Sequence, residues 1–493
     1  MTDRPPAPAA VRVTTRTHGL PRIPTLPAYQ ALAERFGPDQ VYLLESAAGP
    51  VRDRRYQFIG FGALLTVSVT DGAVRVEGRP ALRRLLLSRA GSLLTDTPHG
   101  PRLRTPGDLW PLLRTARAMF DAQGSAHRFR FGFLGCFGYD TVRYIEELPR
   151  LIERRPALPD VQLVLHQGCV VSDLEQGTTE LLLHESEHWR PLDDGPLTRL
   201  LERAGHTHPE PAADTFPEAT VIDDTEPEVF TGDVERCLKH IAVGDVYQVQ
   251  IGHELAIRSA ADPVDVYQRL RRRNASPYMY LAGIGGQRVI GASPELFVRV
   301  EGATVTMRPI AGTLPRTGGG DDAAGARRLR SDPKEIAEHT MLVDLCRNDI
   351  GRISRQDTLR VPDRLTVERY SHVLHLVSTV AGEAEPDKDA FDIIAALFPA
   401  GTMTGTPKIR AMEIIEAVER SRRGLYAGAL GLIDVGGYTN LALCIRTLFH
   451  HDGVFRTRAS AGIVADSRPD AEWRETLAKM SAAHWAVTGK ELL

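Results

Sequence analysis

The sequence reads as an α+β fold in two domains, and three observations lead there. Short runs of alternating apolar residues recur among stretches with helical periodicity. A segment rich in His, Pro, Asp, Glu and Thr (HTHPEPAADTFPEATVIDDTEPE) then interrupts them. The length, 493 residues, also exceeds one ordinary core at roughly 150 residues per domain.

In the first part, residues 63–69, 73–76 and 162–171 have strand character, and residues 80–89 and 106–123 helical character. These assign a domain to residues 20–184. Residues 185–228 are expected to be a linker, because their composition offers little to bury. The second domain, 229–493, opens with a helix at 229–243. Strands are expected at 247–257, 278–284, 288–292 and 296–300, and helices at 333–349 and 407–420. Strands at 427–435 and 441–450 and a closing helix at 469–487 complete it. No fixed-period repeat is present.

Composition narrows the function classes. A net charge of −3 from nearly matched acids and bases gives no field for nucleic acid or an anionic membrane. No stretch approaches 18 consecutive apolar residues, and the proline- and alanine-rich start has no signal-like apolar run, so a cytoplasmic protein with a small-molecule ligand is expected. Five scattered cysteines with no CxxC pair read as buried apolar residues in a reducing compartment.

Two glutamate pairs carry chemical information. Asp332 as N-cap and Pro333 at the first helical position start a helix on which Glu335 and Glu338 share a stripe with Leu342 and Leu345. Glu472 and Glu475 repeat the spacing near the C-terminus, beside Trp473, Leu477 and Met480. Carboxylates on apolar stripes need compensation, which a hard divalent cation such as Mg²⁺ supplies. A capping box at Glu335 and a solvated face elsewhere explain the same spacing, so spacing alone leaves both open.

A series of ordered segments resembles the chorismate-utilising enzymes, in particular anthranilate synthase component I. They include GDVYQV, SPYMYL, GASPELFVRV, RPIAGT, KEIAEHTMLVDLCRNDIGR, YSHVLHLVS, AGTMTGTPKIRAMEII, RGLYAGALG, ALCIRT, SAGIVADS and WRETLAKM, with LLESA and RYQFIG in the first part. The resemblance implies a large antiparallel β-sandwich flanked by helices, with an N-terminal regulatory domain and a chorismate-binding catalytic domain. It implies Glu338 and Glu475 as magnesium ligands, with Glu335 and Glu472 acting through water. It places the ring carboxylate of chorismate near Gly312, Thr313 and the backbone of Ser460, Ala461 and Gly462. The enolpyruvyl carboxylate falls to Tyr426, Arg446 and Gly462. His375 and Thr402 flank the ring, and Glu295 is the acid that protonates the departing C4 hydroxyl.

Two positions narrow the nucleophile. Family members that add water carry a lysine where this chain has Gln248, and members that make 4-amino-4-deoxychorismate commonly carry a lysine where it has Ala311. Attack of ammonia at C2 is therefore expected, giving 2-amino-2-deoxyisochorismate and then, by loss of pyruvate, anthranilate. The alternative is an enzyme that stops at the aminated intermediate. Leu314, Thr404 and Thr406 depart from the family pattern and bear on that second step. A catalytically silent paralogue is disfavoured by the intact Glu295, Glu338, Arg446 and Glu475.

No glutaminase nucleophile is encoded, since Cys136 in LGCFGYD lacks the expected neighbours, so ammonia is expected from a separate glutamine amidotransferase subunit in a hetero-oligomer. LLESA and SPYMYL also resemble a tryptophan effector site. Pro277, Tyr278 and Met279 would cradle indole, with Glu45 and Ser46 near the amino group.

Overall fold

The computed structural model describes residues 10–50, 53–153, 158–207, 215–316, 322–370 and 373–493. Its core is a set of antiparallel sheets flanked by helices. The alternation of apolar and polar side chains that marks strands in the sequence is the reason: one face packs inward while helices cover it.

The sheets ignore the division expected between the two parts. Strand Val41–Glu45 pairs with Tyr278–Ile284, and Gly132–Phe137 pairs with Ala429–Asp434. One hydrophobic core accordingly mixes Phe133 and Leu163 with Phe297, Leu397 and Ile433. The segment 185–228 is also more than a linker. Helix Asp194–His206 buries Leu197 and Leu201 in the core that holds Leu26 and Leu32, and strand Ala219–Asp223 pairs with Gln248–Ser259. Its polar composition misled because the few apolar residues sit at helical spacing.

Several boundaries shift. Residues 106–123 form a 3-10 turn, the helix Leu109–Ala118 and the short strand Phe120–Ala122. Residues 441–450 are two strands, Thr439–Leu443 and Thr447–His451. Arg446 lies in the break, with φ +53°.

Two helices and a pair of strands frame the site. Helices Pro333–Gly351 and Pro469–Thr488 carry the glutamate pairs. The paired strands Gln248–Ser259 and Val454–Ile463 form the floor between them. Asp332 caps the first helix by accepting from the backbone N–H groups of Lys334 and Glu335. All five cysteines are buried and free. Among the described residues no helix is long and apolar enough to cross a membrane.

Candidate functional site

A cavity of about 300 Å³ gathers Gln248, Glu295, Gly312, Glu335, Glu338, His375, Thr402, Tyr426, Arg446, Ser460, Gly462, Glu472 and Glu475. Its size falls at the lower end for small-molecule sites, roughly 300 Å³ upward. Ala461 points to the opposite face, into the core beneath the floor. Thr313 lies in the strand Ile310–Pro315 opposite His375, but its side chain is outside the described residues.

One end of the cavity is acidic. Burial raises the pKa of Glu335, Glu338 and Glu472 above the carboxylate value, and neighbouring carboxylates push the same way: Glu338 on Glu335, and Glu475 on Glu338 and Glu472. Lys334 lies 3.8 Å from Glu338, and Lys479 lies 2.6 Å from Glu475. Four oxygen-donor carboxylates that repel one another fit a hard divalent cation. No three of them bring ligand atoms within 4.8 Å of one another. The described residues that do are Asp223, Asp224 and His253. There His253 spends Nδ1 on Asp223 at 2.8 Å and Nε2 on Thr476 at 2.7 Å. That group ties strand to helix and leaves no ring nitrogen for a metal. Gly312, at φ +62°, packs against the acidic end, since a Cβ there would stand 2.9 Å from Glu335 Oε2.

The same cavity carries a cationic and hydroxylic group, Arg446, Tyr426 and Ser460. Arg446 donates from Nη1 to the Lys479 carbonyl at 2.8 Å and forms no ion pair among the described residues. Its φ of +53° is uncommon for a non-glycine residue. The Tyr426 hydroxyl and Ser460 Oγ are 2.6 Å apart. Lys479 Nζ also donates to the Ser460 carbonyl at 2.8 Å.

The proton-handling groups line the same cavity. Burial pushes the Glu295 carboxyl up to about 8, against the smaller opposing pulls of the Thr402 hydroxyl, which donates to it at 3.3 Å, and of Lys479. Glu295 is therefore protonated near neutrality and able to act as a general acid. His375 Nδ1 lies 3.3 Å from the Gly312 carbonyl, and burial lowers its pKa to about 4. It is a neutral imidazole and a weak base. Gln248 is buried, and its Oε1 has no hydrogen-bond partner. It is an acceptor waiting for a donor.

Of the departures from the family pattern, Thr404 turns its hydroxyl back to the carbonyls of Ala400 and Gly401 at 3.3 and 3.4 Å. It spends itself on the loop. Gln250, Lys334, Arg458 and Lys479 also line the cavity and were not singled out from the sequence. Lys334 and Lys479 were readable, each at i,i+4 from a glutamate. Gln250 and Arg458 follow only from strand alternation with Gln248 and with Ser460 and Gly462.

The five residues of the effector expectation come together in the fold. Glu45, Ser46, Pro277, Tyr278 and Met279 do line one cavity, but it measures about 80 Å³. A cavity of roughly 150 Å³ is what admits benzene. Glu45 accepts from Thr25 Oγ1, Tyr267 OH and Arg271 Nε, each at 2.6 Å. Ser46 Oγ donates to the carbonyls of Asp53 and Pro277 at 2.9 and 2.7 Å. Both side chains are thus tied into the surrounding fold.

Residues 81–484 match the family model described as chorismate binding enzyme. A 2-amino-4-deoxychorismate synthase from Streptomyces globisporus is 74% identical over 493 residues, covering 100% of each chain. Anthranilate synthase component 1 from Streptomyces coelicolor is 43% identical over 408 residues, covering 78% of this chain and 79% of that one. The crystal structure of anthranilate synthase component I from Streptococcus pneumoniae superposes with a TM-score of 0.70 at 30% identity, covering 87% of this chain and 92% of the other.

Proposed function

The chain belongs to the chorismate-binding enzymes, and from that premise we propose that it aminates chorismate at C2 and releases the aminated, enolpyruvyl-bearing product. What carries the reading is the end-to-end 74% identity with the 2-amino-4-deoxychorismate synthase. Written on the chorismate ring, that name places nitrogen at C2, removes the C4 hydroxyl and keeps the enolpyruvyl ether. It describes the same molecule as 2-amino-2-deoxyisochorismate and differs from the 4-amino isomer. The anthranilate product expected from the sequence is thereby set aside, since the anthranilate synthases reported are far less similar.

The site's residues divide the work. Gln248 Oε1 offers an acceptor to an N–H of ammonia. As the C2–N bond forms, the ring diene shifts toward C4 and the C4–O bond breaks. The proton on Glu295 leaves with the hydroxyl as water. The surplus proton on nitrogen then restores the Glu295 acid. Glu338 and Glu475 would hold Mg²⁺, with Glu335 and Glu472 behind them, and the ion would supply positive charge at the ring carboxylate. Arg446 and Tyr426 hold the enolpyruvyl carboxylate.

Anthranilate formation needs one further step, removal of the C2 proton with expulsion of pyruvate. A His375 held near pKa 4 is poorly matched to that proton. Ammonia is supplied by a separate glutamine amidotransferase subunit, as this chain presents no glutaminase nucleophile in its buried cysteines. The reading is tested by identifying the product of the purified chain with chorismate, Mg²⁺ and ammonium: the aminated diene supports it, and an aromatic product overturns it.

A further inference from the structure

The two floor strands pair antiparallel, with Gln250 opposite Gly462, Gly252 opposite Ser460 and Glu254 opposite Arg458. Directly opposed residues share a face, and so do alternate residues along a strand. One face therefore carries Gln248, Gln250, Ser460, Gly462 and Arg458. Gly462 leaves room there, because a Cβ would lie 2.7 Å from Gln248 Nε2 and 2.8 Å from Gln250 Nε2.

Arg458 lines the cavity and is only 2% exposed. Its terminal nitrogens are anchored. Nη1 donates to Ser421 Oγ at 2.7 Å, and Nη2 donates to Glu419 Oε2 at 2.8 Å and to the Gly252 carbonyl at 3.2 Å. Glu419 also holds Arg423, at 2.8 Å. The remaining donor, Nε–H, is buried without a partner. A buried donor left unpaired is unfavourable, and an incoming acceptor relieves that penalty.

We propose that Arg458 is a further substrate-binding residue, whose Nε–H takes an oxygen of the enolpyruvyl carboxylate. The inference rests on the reading of this cavity as a chorismate site. Arg458 shares its strand face with Ser460, and Ser460 holds Tyr426, the hydroxyl assigned to that same carboxylate. The anchored Nη atoms fix the guanidinium plane before substrate arrives, so the contact is preorganised. Because the proposed product keeps the enolpyruvyl group, the contact lasts from substrate to product.

The test is calorimetric titration of chorismate into the full chain with Mg²⁺ and no ammonium, on wild type, Arg458→Lys and Arg458→Met. Lysine keeps a cation beside Glu419 but has no fixed donor in place of Nε–H. Arg458→Lys is expected to weaken chorismate about tenfold, the worth of one charge-assisted hydrogen bond, while Mg²⁺ titrated alone binds within about twofold of wild type. Arg458→Met should weaken chorismate at least as much, and where it fails to fold the lysine variant decides. Chorismate affinity in Arg458→Lys within twofold of wild type overturns the proposal, and so does an equal loss of Mg²⁺ affinity, which marks a structural role. A wild-type chain that binds no chorismate overturns the reading of the cavity instead.

Discussion

Glu295 shows how one buried side chain sets a pH limit. With its carboxyl held up to about 8, the protonated form that donates to the leaving hydroxyl is present at neutrality and is lost as pH rises through that value. The rate is expected to fall on the alkaline side of pH 8. Glu295→Gln, which has no proton to give, should lower kcat by about 10²–10⁴. Stability carries the same sign. The neutral carboxyl suits its site, so stability is full below the unfolded value near 4.5 and declines as pH rises through about 8. Glu295→Gln should accordingly unfold at a higher temperature than wild type at pH 9, and an unchanged or lower Tm there contradicts the burial account.

The glutamates make a second residue-scale prediction. Because burial pushes Glu335, Glu338 and Glu472 toward the neutral form, with Glu338 acting on Glu335 and Glu475 on Glu338 and Glu472, Glu338→Gln removes repulsion along with a ligand. With chelator present its Tm should equal or exceed that of wild type, while turnover at saturating Mg²⁺ falls more than ~100-fold. Near-normal turnover contradicts the metal assignment. These residues were legible because their motifs are local: Glu335 and Glu338, like Glu472 and Glu475, are read from i,i+3 spacing. Gln248 Oε1 and Arg458 Nε were not, because an unpaired buried atom appears only once the surrounding chain is folded.

At the scale of elements, the site depends on keeping the C-terminal helix in register with the floor. His253, on the same strand as Gln248, bridges Asp223 and Thr476, and its ring stacks on Trp473 at 4.3 Å. Thr476 is the neighbour of Glu475. Thr476→Val should keep the helix but free it from the strand, leaving His253 Nε2 unpaired at a cost of about 1–3 kcal/mol. The Mg²⁺ concentration for half-maximal rate should rise about 10–100-fold, the range for groups that orient ligands. An unshifted Mg²⁺ requirement would reduce the bridge to a stability role. Helix ends with proline at the first turn were legible here, as at Pro333 and Pro469. The floor strand Val454–Ile463 was not assigned from the sequence, because FRTRASAG interleaves charged and small residues where a strand signal expects apolar ones. The break at Arg446 escaped for another reason: a positive φ on arginine has no local sequence signature.

At the scale of the molecule, strands from both parts of the chain pair across the expected boundary, so the first part is built into the body of the enzyme. Composition cannot reveal such pairing, since long-range register leaves no trace in a local window. The same interleaving fills the small cavity at Ser46 with Asp53, which receives Tyr278 and Arg299 at 3.3 and 3.2 Å, and Arg308. Tryptophan at millimolar concentration is expected to give no binding heat and no inhibition. Saturable inhibition abolished by Ser46→Phe would show that the cavity opens.

The proposed reaction adds nitrogen to chorismate and keeps the enolpyruvyl group. It is tested most directly by mass analysis of the product from pure protein, chorismate, Mg²⁺ and ammonium, with pyruvate followed by a lactate dehydrogenase couple. A non-aromatic aminated product that retains the enolpyruvyl ether, formed without pyruvate, is expected. Anthranilate and pyruvate in equal amounts would contradict it.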